Sequence, residues 1–248
     1  MVAALSGSVN RRRLAVFAGL LVCLCTGAQA SECANERAAM IDTIRAYARS
    51  GPPISERVLQ AMNAVERHRL MPQPIDCAQA YADRPLQIGR GQTMSQPYIV
   101  ALMTELADAR PDDNLLEIGT GSGYQAAVLA RLARKVCTVE IVAPLGEQAA
   151  AALKEQGYSN VEVRIGDGYR GVPECGPFDA IVVTAAIGHV PQPLIDQLKV
   201  GGRLVVPLGA TSTGQSLSVI EKTGVGQTTS RSVMAVRFVP FTGSQSRN

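Results

Sequence analysis

The chain has 248 residues and is 46% hydrophobic, which suits one folded α/β domain with short additions and argues against a disordered protein. Its 24 Lys and Arg residues exceed its 21 Asp and Glu residues by three, and the three arginines at positions 11–13 account for that excess. Outside those arginines the chain has no run of basic residues, and it has no Trp and few other aromatic residues. Nucleic acid is therefore excluded as an expected partner.

The first thirty residues have the pattern of a secretory signal peptide. Arg11–Arg13 precede an apolar run from Leu14 to Thr26, and Ala28-Gln29-Ala30 matches a small-x-small cleavage site. A membrane-spanning helix needs roughly 20 apolar residues, and this run is shorter. We expect cleavage after residue 30, export to the periplasm or the medium, and no stable membrane association afterwards. The alternatives are an uncleaved anchor, or a misassigned start and a cytoplasmic protein.

Four cysteines follow residue 30, and their spacing argues against a metal site. None forms a C-x-x-C pair, and the chain has only two histidines, so we predict no bound metal. Cys137 lies in an apolar stretch, where a cysteine most often acts as a small hydrophobic side chain. Cys33 and Cys77 lie in a segment that export would expose to an oxidising compartment, and we expect a disulfide between them.

Residues 31–87 are predicted to form an N-terminal helical segment. Met40, Ile41 and Ile44 have helical spacing, Gly51–Pro53 would end that helix, and Ser55 can cap a second one. The stretch IGRGQTMSQPYIV, residues 88–100, then leads into an apolar helical pattern. It contains no His, Cys, Asp, Glu or Lys that could act as base, nucleophile or metal ligand.

From residue 113 onward, predicted strands and helices alternate. The strands are 114–118, 135–141, 160–165, 178–184 and 202–208, the helices are about 124–134, 144–156 and 192–198, and further strands at 216–222 and 232–241 close the chain. This alternation predicts an α/β fold with a doubly wound, mostly parallel sheet, whose ligands bind at the carboxyl ends of the strands. We predict one ligand-binding domain over residues 88–242 and a disordered tail over 243–248.

The first of these strands ends in a glycine loop. Gly119, Gly121 and Gly123 would let the backbone turn sharply and come close to a ligand. Their G-x-G-x-G spacing differs from the G-x-G-x-x-G loop that binds a pyrophosphate, and Glu117 beside the loop would repel a diphosphate. The loop therefore favours a ligand without phosphates.

Two further carboxylates end the next two strands. Glu140 can accept hydrogen bonds from both hydroxyls of a ribose, and Asp167, in a Gly-Asp-Gly turn, can accept one from an adenine amino group. Together with Glu117 and the glycine loop they describe a nucleoside site without a phosphate subsite. We therefore predict S-adenosylmethionine as the cofactor.

Four stretches closely resemble the protein-L-isoaspartate O-methyltransferases: YADRPLQIGRGQTMSQPYIVALMTELA, LLEIGTGSGYQAAVLARL, VEVRIGDGYRGVPECGPFDAIVVTAA and LKVGGRLVVPLG. ERVLQAMNAVERHRLMP is similar to that family's N-terminal helix and the Arg-His segment after it, and the resemblance runs from about Ile54 to Pro240. It implies the Rossmann-like methyltransferase fold. It also implies methyl transfer to the α-carboxylate of isoaspartyl residues in damaged proteins or peptides, whose ester closes to a succinimide.

The resemblance also implies a role for each matching residue. Ser95 matches the active-site serine. The residues matched to substrate binding are Gln92, Thr93, Thr184, Ala185 and Ala186. Those matched to the cofactor site are Glu117, Gly119, Thr120, Gly121, Gly123, Glu140, Asp167, Gly168 and Gln215.

The chemistry explains why residues 88–100 lack a base. A carboxylate with a pKa of about 4 is already the anionic nucleophile at neutral pH. A Lys or Arg would hold that anion more strongly before reaction than in the transition state, so the neutral hydroxyls of Ser95 and Thr93 suit it better. The structural alternative is that Ser95 caps the helix beginning near Pro97. We expect His68 and His189 to be structural or to lie at the substrate rim.

Two other functions remain open, namely methylation of another small carboxylate and non-catalytic adenosine binding. A nucleic-acid methyltransferase would be expected to carry Asn/Asp-Pro-Pro-aromatic after the fourth strand, where this chain has VTAAIGHVP. We expect isoaspartyl proteins and peptides as partners, and a monomer. Export would separate the protein from the cytoplasm, where S-adenosylmethionine is made.

Overall fold

The computed structural model describes residues 1–3, 32–210 and 214–243. The chain divides into two compact units, Met1–Glu32 and Cys33–Asn248. The expected leader, residues 1–30, lies outside the described residues apart from its first three, and so does the expected tail beyond Gly243. No helix within the described ranges is both long enough and apolar enough to cross a membrane.

Three helices open the second unit: α1 (Ala34–Ala48), α2 (Glu56–Asn63) and α3 (Cys77–Tyr81). Met40, Ile41 and Ile44 are buried on one face of α1, as their spacing predicted. The Ser55 side chain accepts a hydrogen bond from the Val58 backbone N–H at the start of α2, which confirms the predicted cap. The helical segment therefore contributes its apolar faces to the core.

A disulfide between Cys33 and Cys77 confirms the predicted pair. It ties the residue preceding α1 to the first residue of α3. The two helices are thus covalently joined at their amino-terminal ends.

A two-stranded antiparallel hairpin of β1 (Leu86–Gly89) and β2 (Gln92–Met94) then leads into α4 (Pro97–Ala107). Gly89, Arg90 and Gly91 all have positive φ at the turn. The predicted alternative that Ser95 caps α4 is wrong. The N-cap position is Gln96, and the carboxylate of Asp83 accepts the Tyr98 backbone N–H at 2.9 Å.

The centre of the fold is a seven-stranded sheet of β3 (Asn114–Ile118), β4 (Lys135–Glu140), β5 (Val161–Ile165), β6 (Phe178–Val183), β7 (Leu198–Leu208), β8 (Gln215–Gly224) and β9 (Gln227–Val236). The spatial order is β5-β4-β3-β6-β7-β8-β9; β3 to β7 pair in parallel, and β8 and β9 are antiparallel. Helices α5 (Tyr124–Ala130), α6 (Ala143–Glu155) and α7 (Gln192–Gln197) connect the strands. The predicted doubly wound sheet is confirmed, and its order reverses beside β3, where such sheets bind ligands.

The end of the chain differs from the prediction. The last strand ends at Val236, so the predicted strand 232–241 is wrong for its final five residues. Those residues leave the sheet and run beside Ala186, whose N–H donates to the Val239 carbonyl at 2.9 Å and whose carbonyl accepts from the Phe241 N–H at 2.8 Å. We call residues 237–243 the C-terminal strap.

Cys137 is buried in β4, but it is not the simple hydrophobic side chain that its surroundings predicted. It forms a disulfide with Cys175, which lies in a short 3₁₀ turn, Pro173–Cys175, before β6. The turn is brought against β4 only by the crossover through β5, so spacing along the chain gave no sign of the bond.

Candidate active site

Three cavities meet at the carboxyl ends of the parallel strands. The first, which we call the strand-end cleft, has a volume of about 550 Å³. It is lined by Gln92, Thr93, Ile118, Gly119, Gly121, Val139, Glu140, Ile141, Gly168, Thr184, Ala185 and Val239–Thr242. Eight of the predicted site residues therefore lie on this one cleft.

The second, the connecting cavity, has a volume of about 280 Å³ and is lined by Thr93–Ser95, Val100, Glu117, Gly119–Ser122, Tyr124, Gln125 and Thr184, a set without Lys, Arg or His. The third, the outer groove, has a volume of about 1570 Å³ and is lined by Tyr47, Ser50–Pro52, Pro85, Thr93, Ser95, Gln96, Tyr98, Ile99, Thr184 and Met234–Val239.

Two threonines join the three cavities. Thr93 and Thr184 line all of them, and Ser95 lines both the connecting cavity and the outer groove. A ligand in the strand-end cleft and one in the outer groove would therefore meet between these two threonines.

The glycine loop is shaped by contacts that leave no space for side chains. Gly119 has a φ of 94°, and a Cβ there would overlap the hydroxyl of Thr184. That hydroxyl lies 2.7 Å from the Gly119 carbonyl and 3.0 Å from the Ile118 carbonyl, to either of which it donates. The structure thus places the Thr184 side chain on the loop itself. Its predicted contact with substrate stays a prediction.

Gly123, the last glycine of the loop, does not line the described cavities. Its φ is 85°, and a Cβ there would lie 3.0 Å from the Leu153 Cδ1 atom in α6. This glycine allows the loop to pack against a helix, so its effect on a ligand would be indirect.

Glu140 is oriented by the backbone around it. Its Oε2 accepts the Gly121 N–H at 2.8 Å, and its Oε1 accepts the Val142 N–H at 2.9 Å. These are neutral donors, and the remaining lone pairs of the carboxylate can still accept ligand hydroxyls in the strand-end cleft. Through its bond from the Gly121 N–H, the carboxylate also holds the glycine loop close to the end of β4.

Glu117 is fully buried at the end of β3 and lines the connecting cavity. Burial, with a smaller contribution from the nearby Glu140, raises the pKa of its carboxyl to about 8, although the Thr138 hydroxyl and the Ala126 backbone N–H act to lower it. Its Oε1 has no partner in hydrogen-bond geometry among the described residues. An uncompensated acceptor beside a cavity favours a ligand that carries N–H groups or positive charge.

Thr120 supports this acid from the loop. Its hydroxyl lies 2.7 Å from that of Thr138, which is hydrogen-bonded to Glu117. The side chain is buried, and it borders the connecting cavity.

Asp167 and Gly168 follow β5. Gly168 lines the strand-end cleft, and a Cβ there would overlap the Ile118 Cγ2 atom. Asp167 accepts the Tyr169 backbone N–H at 3.0 Å, and it lies under the C-terminal strap, so close that a Cβ on Gly243 would be 2.6 Å from its Oδ1. Asp167 itself lies outside the lining of the three described cavities, and its predicted contact with an adenine amino group stays a prediction.

Gln215 lies outside the lining of all three described cavities, and its predicted contact with the cofactor stays a prediction. Its Oε1 accepts the Phe238 N–H at 2.6 Å, and its Nε2 donates to the Phe238 carbonyl at 3.2 Å. Gln215 therefore fixes the strap that borders the cleft. Ala186 holds the same strap through its backbone and likewise lies outside the described cavities.

Neither histidine lines a described cavity. His68 lies 2.9 Å from the Tyr81 hydroxyl, and His189 lies 3.0 Å from the Tyr169 hydroxyl. The strap residues Val239–Thr242 do line the strand-end cleft, but the sequence pattern had assigned Val239–Phe241 to a strand and offered no signal of this role.

Known proteins of one family match most of this chain. The family model described as protein-L-isoaspartate(D-aspartate) O-methyltransferase matches residues 35–246. A Polaromonas sp. protein named protein-L-isoaspartate O-methyltransferase 2 is 54% identical over 78% of this chain and 92% of its own. An Opitutus terrae protein-L-isoaspartate O-methyltransferase is 51% identical over 94% of this chain and 98% of its own.

Solved structures agree with the fold. A protein-L-isoaspartate O-methyltransferase superposes with a TM-score of 0.77 at 30% identity, over 84% of this chain and 66% of that one. A putative family member from Plasmodium falciparum, in complex with S-adenosyl-L-homocysteine, has a TM-score of 0.70 at 23% identity, over 83% of this chain and 98% of its own. With its match to the family model and its identity to full-length relatives, the chain belongs to the protein-L-isoaspartate(D-aspartate) O-methyltransferase family.

Proposed function

We propose that this protein transfers a methyl group from S-adenosylmethionine to the α-carboxylate of L-isoaspartyl residues in damaged proteins or peptides, and so initiates their repair through a succinimide. The observation that carries the proposal is that Thr93 and Thr184 line all three cavities. Reactants placed in the strand-end cleft and in the outer groove would meet there. Such placement converts an encounter of two molecules into a reaction between positioned groups.

The residues at the cleft fit this cofactor. A Cβ at Gly119 would overlap the Thr184 hydroxyl and one at Gly168 the Ile118 Cγ2 atom, so glycine lets the backbone adopt the cleft's shape at both points, and Glu140 can accept hydroxyl groups of a ribose. The unpartnered Oε1 of Glu117 suits an ammonium group. When bound, the cofactor supplies an electrophilic methyl group on a sulfonium centre.

Ser95 and Thr93 are the chain's donors toward the substrate. The substrate carboxylate is ionised at neutral pH, so no residue has to remove a proton. In the part of the chain that the structure describes, no hydrogen bond engages the Ser95 hydroxyl, and it can donate to a substrate oxygen without breaking an internal bond. The connecting cavity has no cationic side chain in its lining, which keeps the carboxylate reactive.

A methyl-transfer assay tests the proposal directly. Radiolabelled S-adenosylmethionine is offered with an isoaspartyl peptide and with its aspartyl twin of the same sequence. We expect base-labile label on the isoaspartyl peptide alone. Equal labelling of both peptides would indicate another carboxylate substrate, and binding of cofactor without labelling would indicate an adenosine-binding module.

We further propose that residues 1–30 are a secretory leader and that the protein acts outside the cytoplasm. Two pairs of cysteines, Cys33 with Cys77 and Cys137 with Cys175, form disulfides in the described residues, and such bonds persist in oxidising compartments. Fractionation of the native host with N-terminal sequencing tests this. A chain that keeps residue 1, has free thiols and stays in the cytoplasm would contradict it.

A further inference from the structure

Arg67 is a fully buried arginine whose presence is explained neither by the cofactor site nor by the Ser95 and Thr93 hydroxyls that face the substrate. It begins a 3₁₀ turn, Arg67–Leu70, between α2 and α3. Its Nε donates to the Ala80 carbonyl at 2.9 Å, and its Nη2 donates to the Ser95 carbonyl at 2.8 Å. Its guanidinium carbon lies 4.6 Å from the centroid of the Tyr124 ring.

This buried cation has no carboxylate at ion-pair distance among the described residues. Burial lowers the pKa of Arg67 to about 10, so the side chain still carries its charge at neutral pH. A buried charge is costly, and a well-packed apolar side chain is often as stable or more so at such a position. Two carbonyls and an aromatic face compensate the guanidinium only in part, because its Nη1 has no hydrogen-bond partner among the described residues. The free-energy cost of burying this charge therefore indicates that Arg67 has a function beyond filling the core.

The two residues that it joins, Ser95 and Tyr124, both line the connecting cavity. Ser95 lines that cavity in the segment before α4, and Tyr124 lines it as the first residue of α5, directly after the glycine loop. A planar guanidinium can donate to a carbonyl and stack on a ring at the same time, in a fixed geometry that a lysine ammonium cannot reproduce. Arg67 thus sets the position of the Ser95 backbone relative to α5.

We propose that Arg67 is a positioning residue, which holds Ser95 at the distance from the cofactor loop that methyl transfer requires. The inference rests on the proposed function, since it concerns the same reaction. Because a misplacement of about 1 Å can cost roughly a hundredfold in rate, the loss of this geometry should reduce turnover much more than ligand affinity.

Arg67→Lys tests the proposal, and Arg131→Lys is its matched control. Arg131 also donates to a backbone carbonyl, that of Ala64 at 3.2 Å, and also lies over a tyrosine ring, 5.5 Å from the Tyr158 centroid, but it borders none of the described cavities. We expect Arg67→Lys to lower kcat by about tenfold or more, with the Kd for S-adenosylhomocysteine within about threefold of wild type. Arg131→Lys should change kcat by less than about twofold.

A double-mutant cycle with Ser95→Ala distinguishes an effect of Arg67 on the position of Ser95 from a general loss of rigidity around the site. If Arg67 acts through the Ser95 hydroxyl, Arg67→Lys should lower kcat by less than about twofold in the Ser95→Ala enzyme. Full additivity of the two losses, or a parallel loss of cofactor affinity, would overturn the proposal. Arg67→Gln repeats the test if the lysine variant does not fold.

Two further outcomes would each overturn the proposal that Arg67 positions Ser95. Failure of both Arg67 variants to fold would overturn the proposal by assigning the guanidinium to the fold alone. A folded wild-type protein that binds the cofactor but does not methylate the isoaspartyl peptide would refute the proposed function, and this inference with it. Thermal unfolding and calorimetric titration of each variant distinguish these cases.

Discussion

The Thr138 hydroxyl donates a 2.5 Å hydrogen bond to Glu117 Oε2 from the position directly beside it, since the two residues are register partners on β4 and β3. The Thr120 hydroxyl supports Thr138 in turn. Because the other carboxylate oxygen has no partner among the described residues, burial dominates and raises the pKa of Glu117 to about 8. In the free protein this acid is therefore mostly protonated at neutral pH.

Affinity for the cofactor should consequently rise with pH. A cationic ligand favours the ionised carboxyl and lowers its pKa in the complex, so binding below about pH 8 releases a proton. The Kd for S-adenosylmethionine should fall by up to about tenfold per pH unit as pH approaches 8 and should then level off. Calorimetry from pH 6 to pH 9 measures this. Glu117→Gln should remove the dependence, and an unchanged wild-type Kd across the range would show that Glu117 is not coupled to binding.

For Glu117, the position could be predicted from the sequence but the protonation state could not. Its place beside the glycine loop follows from the strand pattern, because every parallel strand presents its carboxyl end at the same edge of the sheet. Its protonation does not follow, since that depends on Thr138 from another strand and on burial by the packed fold. Local spacing predicts which residues lie at this edge of the sheet, whereas the tertiary packing determines whether they are ionised.

Ser95→Ala should lower kcat for an isoaspartyl peptide by about tenfold to a hundredfold, which corresponds to the roughly 1.5–3 kcal/mol that one hydrogen bond to a charged group contributes. The Ser95 hydroxyl lies on the connecting cavity and the outer groove but not on the strand-end cleft, so the Kd for S-adenosylhomocysteine should change little. Ser159→Ala, at an exposed position after α6, is the control. An unchanged rate in the Ser95 variant would remove this serine from the mechanism.

Gly119→Ala should abolish cofactor binding, because its Cβ would overlap the Thr184 hydroxyl that holds the loop. Gly157→Ala is a matched control, since Gly157 also has a positive φ, 78°, but nothing lies within 4 Å of its Cβ position. Both variants should lose about 1–2 kcal/mol of unfolding free energy from backbone strain, and only Gly119→Ala should also lose binding. Thermal unfolding with and without S-adenosylhomocysteine measures both effects. Equal ligand stabilisation of the two variants would contradict the steric argument.

The two disulfides should contribute similarly to stability. They span 44 and 38 residues, and the loop-entropy relation gives about 4 kcal/mol for each as an upper figure. Replacing either pair by alanines should therefore lower the midpoint of chemical denaturation. The Cys33–Cys77 pair lies in the helical segment away from the strand-end cleft, so its removal should leave cofactor affinity unchanged. A loss of affinity would mean that the helical segment shapes the cleft.

Cys175 and the C-terminal strap show where sequence reasoning fails. The bond from Cys175 to Cys137 depends on a crossover that brings a short turn against β4. The strap residues alternate like a strand, yet they leave the sheet after Val236 because Ala186 and Gln215 bind their backbone groups instead. In both cases the deciding partner is distant along the chain, and the local pattern carries no trace of it.

Gln215→Ala should weaken cofactor binding although Gln215 does not border the cleft. Its two hydrogen bonds to Phe238 hold the strap, whose next residues, Val239–Thr242, line the strand-end cleft and lead to Gly243 over Asp167. Removing bonds worth about 0.5–1.5 kcal/mol each should free the strap and raise the Kd for S-adenosylhomocysteine about three- to tenfold, mainly through faster dissociation.

Asn160→Ala is the matched control for Gln215→Ala, because the Asn160 amide also makes two bonds to backbone carbonyls, those of Ala130 and Ala133, away from the cleft. It should cost similar unfolding free energy and leave the Kd near wild type. Stopped-flow dissociation and calorimetry compare the two variants. If both lower stability and neither changes dissociation, the strap is not a cover for the cofactor. If only Gln215→Ala accelerates release, the glutamine acts on the site through the strap, and its effect on affinity requires no contact with the ligand.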